Sequence, residues 1–456
     1  MHSTITWFNR LACSVAAAAL VVIAPATPAL AQDAAAVFQP SAAQTTLLAR
    51  ARALGATDIV ARAAPNGGLI LGGKLEGRQF ALAFPADWTG DALVFAHGYT
   101  LPGMPLAVAE NPLAKTAGGS GIMRVAYEDG LAAGHSAYDK AGMAVKTGAA
   151  NTLRLRDFLV KLGARRVYVS GSSMGGNIVM ALIEQYPHAF AGAFAQCGVT
   201  DGWEREFGQL SDLRAAYNQL TAGTPYALPG VQDATRSAFD ILPPPGANGD
   251  AHRAAQATRL TAPIVALFKA AEKAPDGPEA RIIRQVASIG GFEPEIGSFF
   301  YPLVTLSFGA DDLRATFGGQ IYGNVGKVYR SDEMTPAEAE AFNRGVQRFS
   351  ADPAAVAEAR RWRQVTGRFT TPLVTLHNRI DSLVPYAHAE SLQRIVTAAG
   401  NSDRLLQKSA PAVEYPLPIG GSGYDHCGFT SDEIQNSWRA LRTWVESGRR
   451  PEPASR

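Results

Sequence analysis

Three residues far apart in the sequence have the types and local settings that acyl transfer requires: Ser173, Asp381 and His426. Ser173 sits in Gly171-Ser172-Ser173-Met174-Gly175, a G-x-S-x-G pattern that follows Val167-Tyr168-Val169-Ser170. The alternating run reads as a strand, and Gly175 to Tyr186 reads as a helix closed by Pro187. A tight strand-to-helix turn tolerates only small flanking residues, because neighbouring backbone would meet any Cβ. It lifts the serine hydroxyl clear of the sheet, beside helix N–H groups that favour the negative charge of an acyl-transfer intermediate. A serine nucleophile needs a base, and the base needs an orienting acid. Asp381 follows the strand-like Pro372 to Leu376, and His426 lies in Gly423-Tyr424-Asp425-His426-Cys427-Gly428-Phe429, between the last strand and the last helix. Ser, Asp, His is a chain order known for such triads. Asp425 ranks second as the acid, since adjacent residues on one loop rarely face each other.

An oxyanion would be held by the backbone N–H of Met174 and by one from Ala96-His97-Gly98-Tyr99-Thr100, with Tyr99 the candidate. His97 reads as a loop-packing residue, and His377 and His388, which flank the acid loop, read as ordinary core or surface histidines. Gly118-Gly119-Ser120-Gly121 lacks the preceding strand of a dinucleotide loop, and there is neither a Walker pattern nor H-E-x-x-H nor a cysteine cluster. No cofactor and no metal is implied. The rings of Phe299, Phe300, Tyr301, Phe308, Phe317 and Tyr322 are most simply the core of their own subdomain, with pocket lining as the alternative.

The elements that must position these residues alternate. Strands are expected at Gly68–Leu71, Gln79–Phe84, Ala92–Ala96, Arg166–Ser170 and Phe190–Cys197, and helices over Met143–Leu162 and Gly175–Tyr186. Such alternation means parallel βαβ units. After Cys197 the rhythm stops, and from about Gly202 to Thr370 come helix-like stretches near Ala251–Lys273, Pro278–Ser288 and Pro336–Ser350. A structureless insertion of that length is improbable inside a compact domain, so a folded helical cap is expected. Strand character returns at Leu373–Leu376 and near Val413–Leu417, with helices over Ala387–Ala399 and Ser431–Val445. The expected fold class is α/β: a doubly wound, mostly parallel sheet with a large helical cap inserted after the sixth strand.

Composition sets the frame. Apolar residues make up 47% and charged residues 18%, with a formal charge of +2 from mixed signs, so the chain is globular and has no basic stripe for nucleic acid. At the N-terminus Arg10 precedes an apolar run from Leu11 to Ala24 and an Ala29-Leu30-Ala31 end, the pattern of a secretory signal peptide cut after Ala31. The residues up to about Gln44 read as an unpatterned leader, and no later apolar run reaches membrane-spanning length. The expected organisation is a signal peptide at 1–31, a first core part at 32–201, the cap at 202–370 and a second core part at 371–456, in a secreted or periplasmic protein. Its partner would be a small-molecule or polymeric ester.

The elbow, acid and histidine together resemble the α/β-hydrolase superfamily over about Gly67 to Cys197 and Thr371 to Val445. The resemblance implies a serine hydrolase, with carboxylic esters as the favoured substrates and an acyl-enzyme intermediate. An exported peptidase is the rival reading, and a non-catalytic binding protein on the same scaffold is the reading of another class. The His426-Cys427 pair also resembles tannases and feruloyl esterases, in which a cysteine beside the histidine is bridged to one beside the serine. Here Ser172 occupies that second place. Cys197, at the end of the strand after the nucleophile helix, offers a substitute: a Cys197–Cys427 bond would hold the His426 loop against the core. Two unrelated thiols are the alternative.

Overall fold

The computed structural model describes residues 38–240, 248–417 and 419–452, so the signal peptide expected at 1–31 lies outside the described residues. The first element is α1 (Ala42–Ala53), whose start is fixed by a reciprocal cap between Ser41 and Gln44. The end of the expected leader is thus already the beginning of a helix. Strands β1 (Thr57–Ala64), β2 (Gly68–Leu75), β3 (Arg78–Phe84) and β4 (Asp91–Ala96) follow, then α2 (Ile122–Glu128), β5 (Ala132–Ser136), α3 (Val145–Leu162), β6 (Arg166–Ser172), α4 (Met174–Gln185) and β7 (Gly192–Gln196). After the insertion come β8 (Leu373–Asn378), α11 (Ala387–Ala398), β9 (Leu405–Ala410), a short ribbon of β10 (Glu414–Pro416) and β11 (Ser422–Tyr424), and α12 (Ser431–Ser447).

The sheet has nine strands in the order β1-β2-β3-β5-β4-β6-β7-β8-β9. From β5 to β9 every neighbouring pair is parallel, whereas β1, β2 and β3 join antiparallel. Alternation along the strands divides the core in two. In β4, Leu93 and Phe95 join Tyr168, Phe194 and Val374 on one face, while Ala92, Val94 and Ala96 join Val169 and Ala193 on the other. The first face is covered by α12, whose Ile434, Trp438 and Leu441 recur at helical spacing, and by Ile122, Met123 and Ala126 of α2. The second is covered by α3 and α4, with Leu155, Phe158, Leu159, Ile178 and Leu182 buried there.

Between β7 and β8 lie α5 (Trp203–Thr221), α6 (Gly249–Lys273), α7 (Pro278–Gly290), α8 (Gly297–Phe317), α9 (Pro336–Gly345) and α10 (Pro353–Arg363). In chain order this insertion follows the seventh strand, not the sixth. Beyond the five strands individually expected before the insertion stand β1, a largely exposed edge, and β5, an Ala-Ala-Gly-His-Ser segment without the branched residues that mark strands. The strand expected near Val413–Leu417 also needs correction. Glu414–Pro416 pairs only with β11, and the sheet ends on β9. Pro411 and Pro416 cannot donate to a ladder, which suits a short ribbon better than a sheet strand.

Candidate active site

Ser173 occupies the turn between β6 and α4 with φ 58° and ψ −125°, a conformation that costs a non-glycine residue about 1–3 kcal/mol and persists only where its surroundings enforce it. They do. A Cβ on Gly171 would lie 2.3 Å from the Gly175 carbonyl oxygen, and one on Gly175 would lie 2.1 Å from that of Ala96. The G-x-S-x-G glycines therefore let three backbone segments pass at contact distance. The Ser173 N–H donates to the Gln196 carbonyl at the end of β7, at 3.0 Å. Met174 is the first residue of α4, where helical N–H groups have no intrahelical acceptor. The loop after β4 runs alongside: a Cβ on Gly98 would be 3.3 Å from that of Ser173, and the next residue, Tyr99, lines the same cavity as Ser173 and Met174.

Asp381 and His426 meet at the carboxyl end of β8. The Asp381 carboxylate faces His426 Nδ1, with Oδ1 at 2.8 Å and Oδ2 at 3.0 Å. Oδ1 also accepts the N–H groups of Leu383 (2.9 Å) and Val384 (2.8 Å), and Oδ2 that of Cys427 (3.3 Å). Both side chains are fully shielded from solvent. Burial alone would push the His426 pKa down, but the Asp381 charge and hydrogen bond outweigh it and raise the pKa above the ordinary 6.5. For Asp381, burial works upward, and the charge and hydrogen bond of His426 with the backbone donors bring the net shift below the ordinary carboxylate value. With Asp381 at Nδ1, Nε2 is left as the atom that can accept a proton. Asp425 is engaged elsewhere, by the hydroxyl of Tyr301 at 2.5 Å.

No hydrogen bond joins Ser173 to His426 among the described residues; a covalent and backbone path connects them instead. Cys197 and Cys427 form a disulfide with Cα atoms 5.5 Å apart. Cys197 directly follows Gln196, the acceptor of the Ser173 N–H, and Cys427 directly follows His426. Ligand atoms of Cys197, Asp381, His426 and Cys427 lie within 4.8 Å of one another, but two of them are sulfurs bonded to each other, which cannot act as thiolate ligands.

His97 and His377 are held by packing and backbone contacts. His97 stacks on Tyr138 at 3.7 Å between ring centres, its Nδ1 is 2.9 Å from the Gly98 carbonyl, and burial lowers its pKa to about 4. His377 is buried with Nε2 donating to the Val384 carbonyl at 2.8 Å, and burial holds its pKa down.

The cavity at Ser173 is lined from the core by Tyr99, Met174, Val199, Leu383 and Val384, and from the insertion by Trp203, Glu206, Phe207, Leu210 and Thr305. Only about 20 Å³ of it is open to the centres of water molecules. A larger groove of about 280 Å³ lies on β1–β3, around Val60 and Phe80, and includes none of the candidate residues. The cavity at Ser173, though smaller, is the one with reactive groups. Phe299, Phe300, Tyr301, Phe308, Phe317 and Tyr322 are all buried, and none is among its lining residues. The residues that sequence reasoning missed sit on one face of α5: Trp203, Phe207 and Leu210 recur at helical spacing just after the catalytic edge of the sheet, which is the signal that could have found them.

No protein-family description matches the chain, and no curated protein sequence matches it significantly. Solved structures with a similar course include feruloyl esterase B from Aspergillus oryzae (13% identity, 86% of this chain and 86% of that one, TM-score 0.46). Another is an esterase from Aspergillus oryzae (14%, 84% and 81%, 0.42), and a third is a rice cell wall degrading esterase from Xanthomonas oryzae (13%, 89% and 92%, 0.35). The mainly parallel sheet, its covering helices and the strand–turn–helix carrying Ser173 give this chain an α/β-hydrolase fold.

Proposed function

We propose that the protein is an exported serine hydrolase that cleaves carboxylic esters, with Ser173 as nucleophile, His426 as general base and Asp381 as the orienting acid. The observation that carries this reading is the buried Asp381–His426 pair, held at the sheet edge where Ser173 projects from its strained turn. His426 Nε2 takes the Ser173 proton, Ser173 Oγ attacks the ester carbonyl carbon, and the oxyanion is met by the N–H groups of Met174 and Tyr99. Collapse expels the alcohol, which receives the proton from His426. Water activated in the same way then releases the acid.

The stretch 202–370 acts as a lid over this edge. It supplies five of the eleven residues that line the cavity, all on α5 and α8, so an acyl group bound at Ser173 would meet these two helices. Export is supported by the N-terminal apolar run in the sequence and by the disulfide, which persists in oxidising compartments. No helix among the described residues is long and apolar enough to cross a membrane.

The test is covalent labelling with a fluorophosphonate, followed by turnover of p-nitrophenyl esters and p-nitroanilide peptides. Labelling at Ser173 with ester cleavage supports the reading. Equal cleavage of anilides would make the enzyme a peptidase, and no labelling with no turnover would leave a binding protein.

A further inference from the structure

Glu206 is 3% exposed, lies in the first turn of α5 and lines the Ser173 cavity among apolar and aromatic neighbours. No lysine or arginine lines that cavity. Its nearest polar neighbour is His388, whose Nε2 is 3.0 Å from Glu206 Oε2. Oε2 is thus held against His388, while Oε1 accepts no hydrogen bond among the described residues.

The other side of His388 settles what it offers Glu206. Its Nδ1 accepts the backbone N–H groups of Thr200 (3.2 Å) and Asp201 (3.0 Å), and the Thr200 hydroxyl donates to its carbonyl oxygen at 2.8 Å. With two donors aimed at Nδ1, the ring carries a proton on Nε2, the nitrogen that faces Glu206. His388 therefore fixes the Oε2 side of the carboxylate. Burial raises the Glu206 pKa, outweighing the downward pull of His388 and His426. A buried carboxylate oxygen with no donor is costly unless a partner completes it; Oε1 is that oxygen, on a residue that lines the cavity where the substrate of Ser173 would sit.

The geometry points to Glu206 as the residue that selects the substrate of the proposed esterase: it accepts a hydrogen bond from a hydroxyl or ammonium group carried by the ester, close to the scissile bond. This inference rests on the ester-hydrolase reading. Hydroxyl and ammonium share the donor chemistry and differ in charge. The apolar wall formed by Trp203, Phe207 and Leu210 holds the carbon skeleton, and an ester bearing a carboxylate at the same place is rejected by like charge.

The experiment compares kcat/KM for p-nitrophenyl 3-hydroxybutanoate, 3-aminobutanoate and 3-methylbutanoate, which differ only in hydroxyl, ammonium or methyl at one carbon. A second pair, 2-hydroxypropyl and isobutyl acetate, places the same change in the alcohol. The wild type should favour the donor-bearing member of at least one series by about 10- to 100-fold, the range of one hydrogen bond to a charged group. Glu206→Leu should collapse that ratio to near one. Glu206→Gln keeps an acceptor without the charge, so it should retain a hydroxyl preference and lose an ammonium preference, which identifies the donor. Melting temperatures of both variants are measured alongside; if the leucine variant does not fold, the glutamine variant and the wild-type ratios decide. Cleavage by the wild type with no donor preference in either series, or a preference that Glu206→Leu leaves intact, overturns the inference alone. No cleavage of any of the five esters overturns the esterase reading and the inference with it.

Discussion

Replacing Asp381 with Asn tests the assignment of the acid most sharply, because the surrounding hydrogen bonds dictate how the amide must sit. Oδ1 accepts two backbone N–H groups, from Leu383 and Val384, whereas Oδ2 accepts one, from Cys427. An amide carbonyl at the first position satisfies both donors, so the NH₂ group takes the second, 3.0 Å from His426 Nδ1 in the native geometry. There it donates to the ring and forces the proton onto Nε2, the nitrogen that must be bare to accept from Ser173. The expected loss is about 10⁴-fold in kcat, or about 5.4 kcal/mol of transition-state stabilisation. The fold should survive, since only the N–H of Cys427 loses an acceptor, at about 1–3 kcal/mol. The pH profile should move as well. In the wild type, kcat/KM rises with pH as His426 loses its proton, through a pKa above 6.5. Without the carboxylate, burial is opposed only by the more weakly acting Asp425 and Glu206, and the midpoint of the residual activity should fall below that of the wild type. Stopped-flow hydrolysis of p-nitrophenyl acetate from pH 5 to 9, with a thermal melt, measures both. An Asp381→Asn enzyme within tenfold of the wild type, beside an inactive Asp425→Asn enzyme, would refute the argument and pass the role to Asp425.

Ser173→Ala should lose at least about 10⁴-fold in kcat and all fluorophosphonate labelling, checked by mass spectrometry of the labelled peptide; labelling retained at Ser172 would move the nucleophile by one residue. Reducing the Cys197–Cys427 bond opens a loop of 230 residues, so its chain-entropy contribution is about 5 kcal/mol, and urea melts with and without reductant should differ by up to that amount. Phe299, fully buried between the rings of Tyr217 and Phe268, should cost about 3–5 kcal/mol as Phe299→Ala with little change in the ranking of esters. Trp203→Ala or Phe207→Ala should reorder that ranking, measured as kcat/KM across an acyl-chain series.

What the sequence made legible follows from how local each signal is. The elbow could be read because strand, turn and helix are contiguous and the turn's glycines stand in fixed positions around Ser173. Asp381 could be placed because it falls just beyond a recognisable strand and His426 because it lies in the loop before the last helix, and the structure brings them together. The strands that escaped notice, β1, β5 and β9, are an exposed edge, an Ala/Gly segment packed on both sides and a mixed polar run. Their strand character comes from their neighbours, not from their own side chains. The same holds for the cavity. That Phe299 and Phe300 would pack inside the insertion while Trp203 and Phe207 turn toward Ser173 depends on how α5 and α8 cross, and composition carries no record of that. Glu206, a single carboxylate in a helical stretch, looks like any solvated acidic residue until burial is known.

The insertion departs and returns through adjacent strands: β7 and β8 are hydrogen-bonded neighbours, with Ala193 opposite Leu373 and Gln196 opposite Leu376. To the sheet, everything from residue 197 to 372 is a single long connection whose ends are already side by side. The entropy of closing such a connection grows only with the logarithm of its length, about 0.6 kcal/mol per doubling. By chain closure alone, its length therefore adds little to the cost of forming the sheet beneath it. Exchanging this stretch for another of different length, with Cys197 retained as the anchor of the His426 loop, would amount to changing an attachment on a fixed machine: on the proposed function, the chemistry should stay with β6, β8 and the last loop, and the choice of molecule should travel with the attachment.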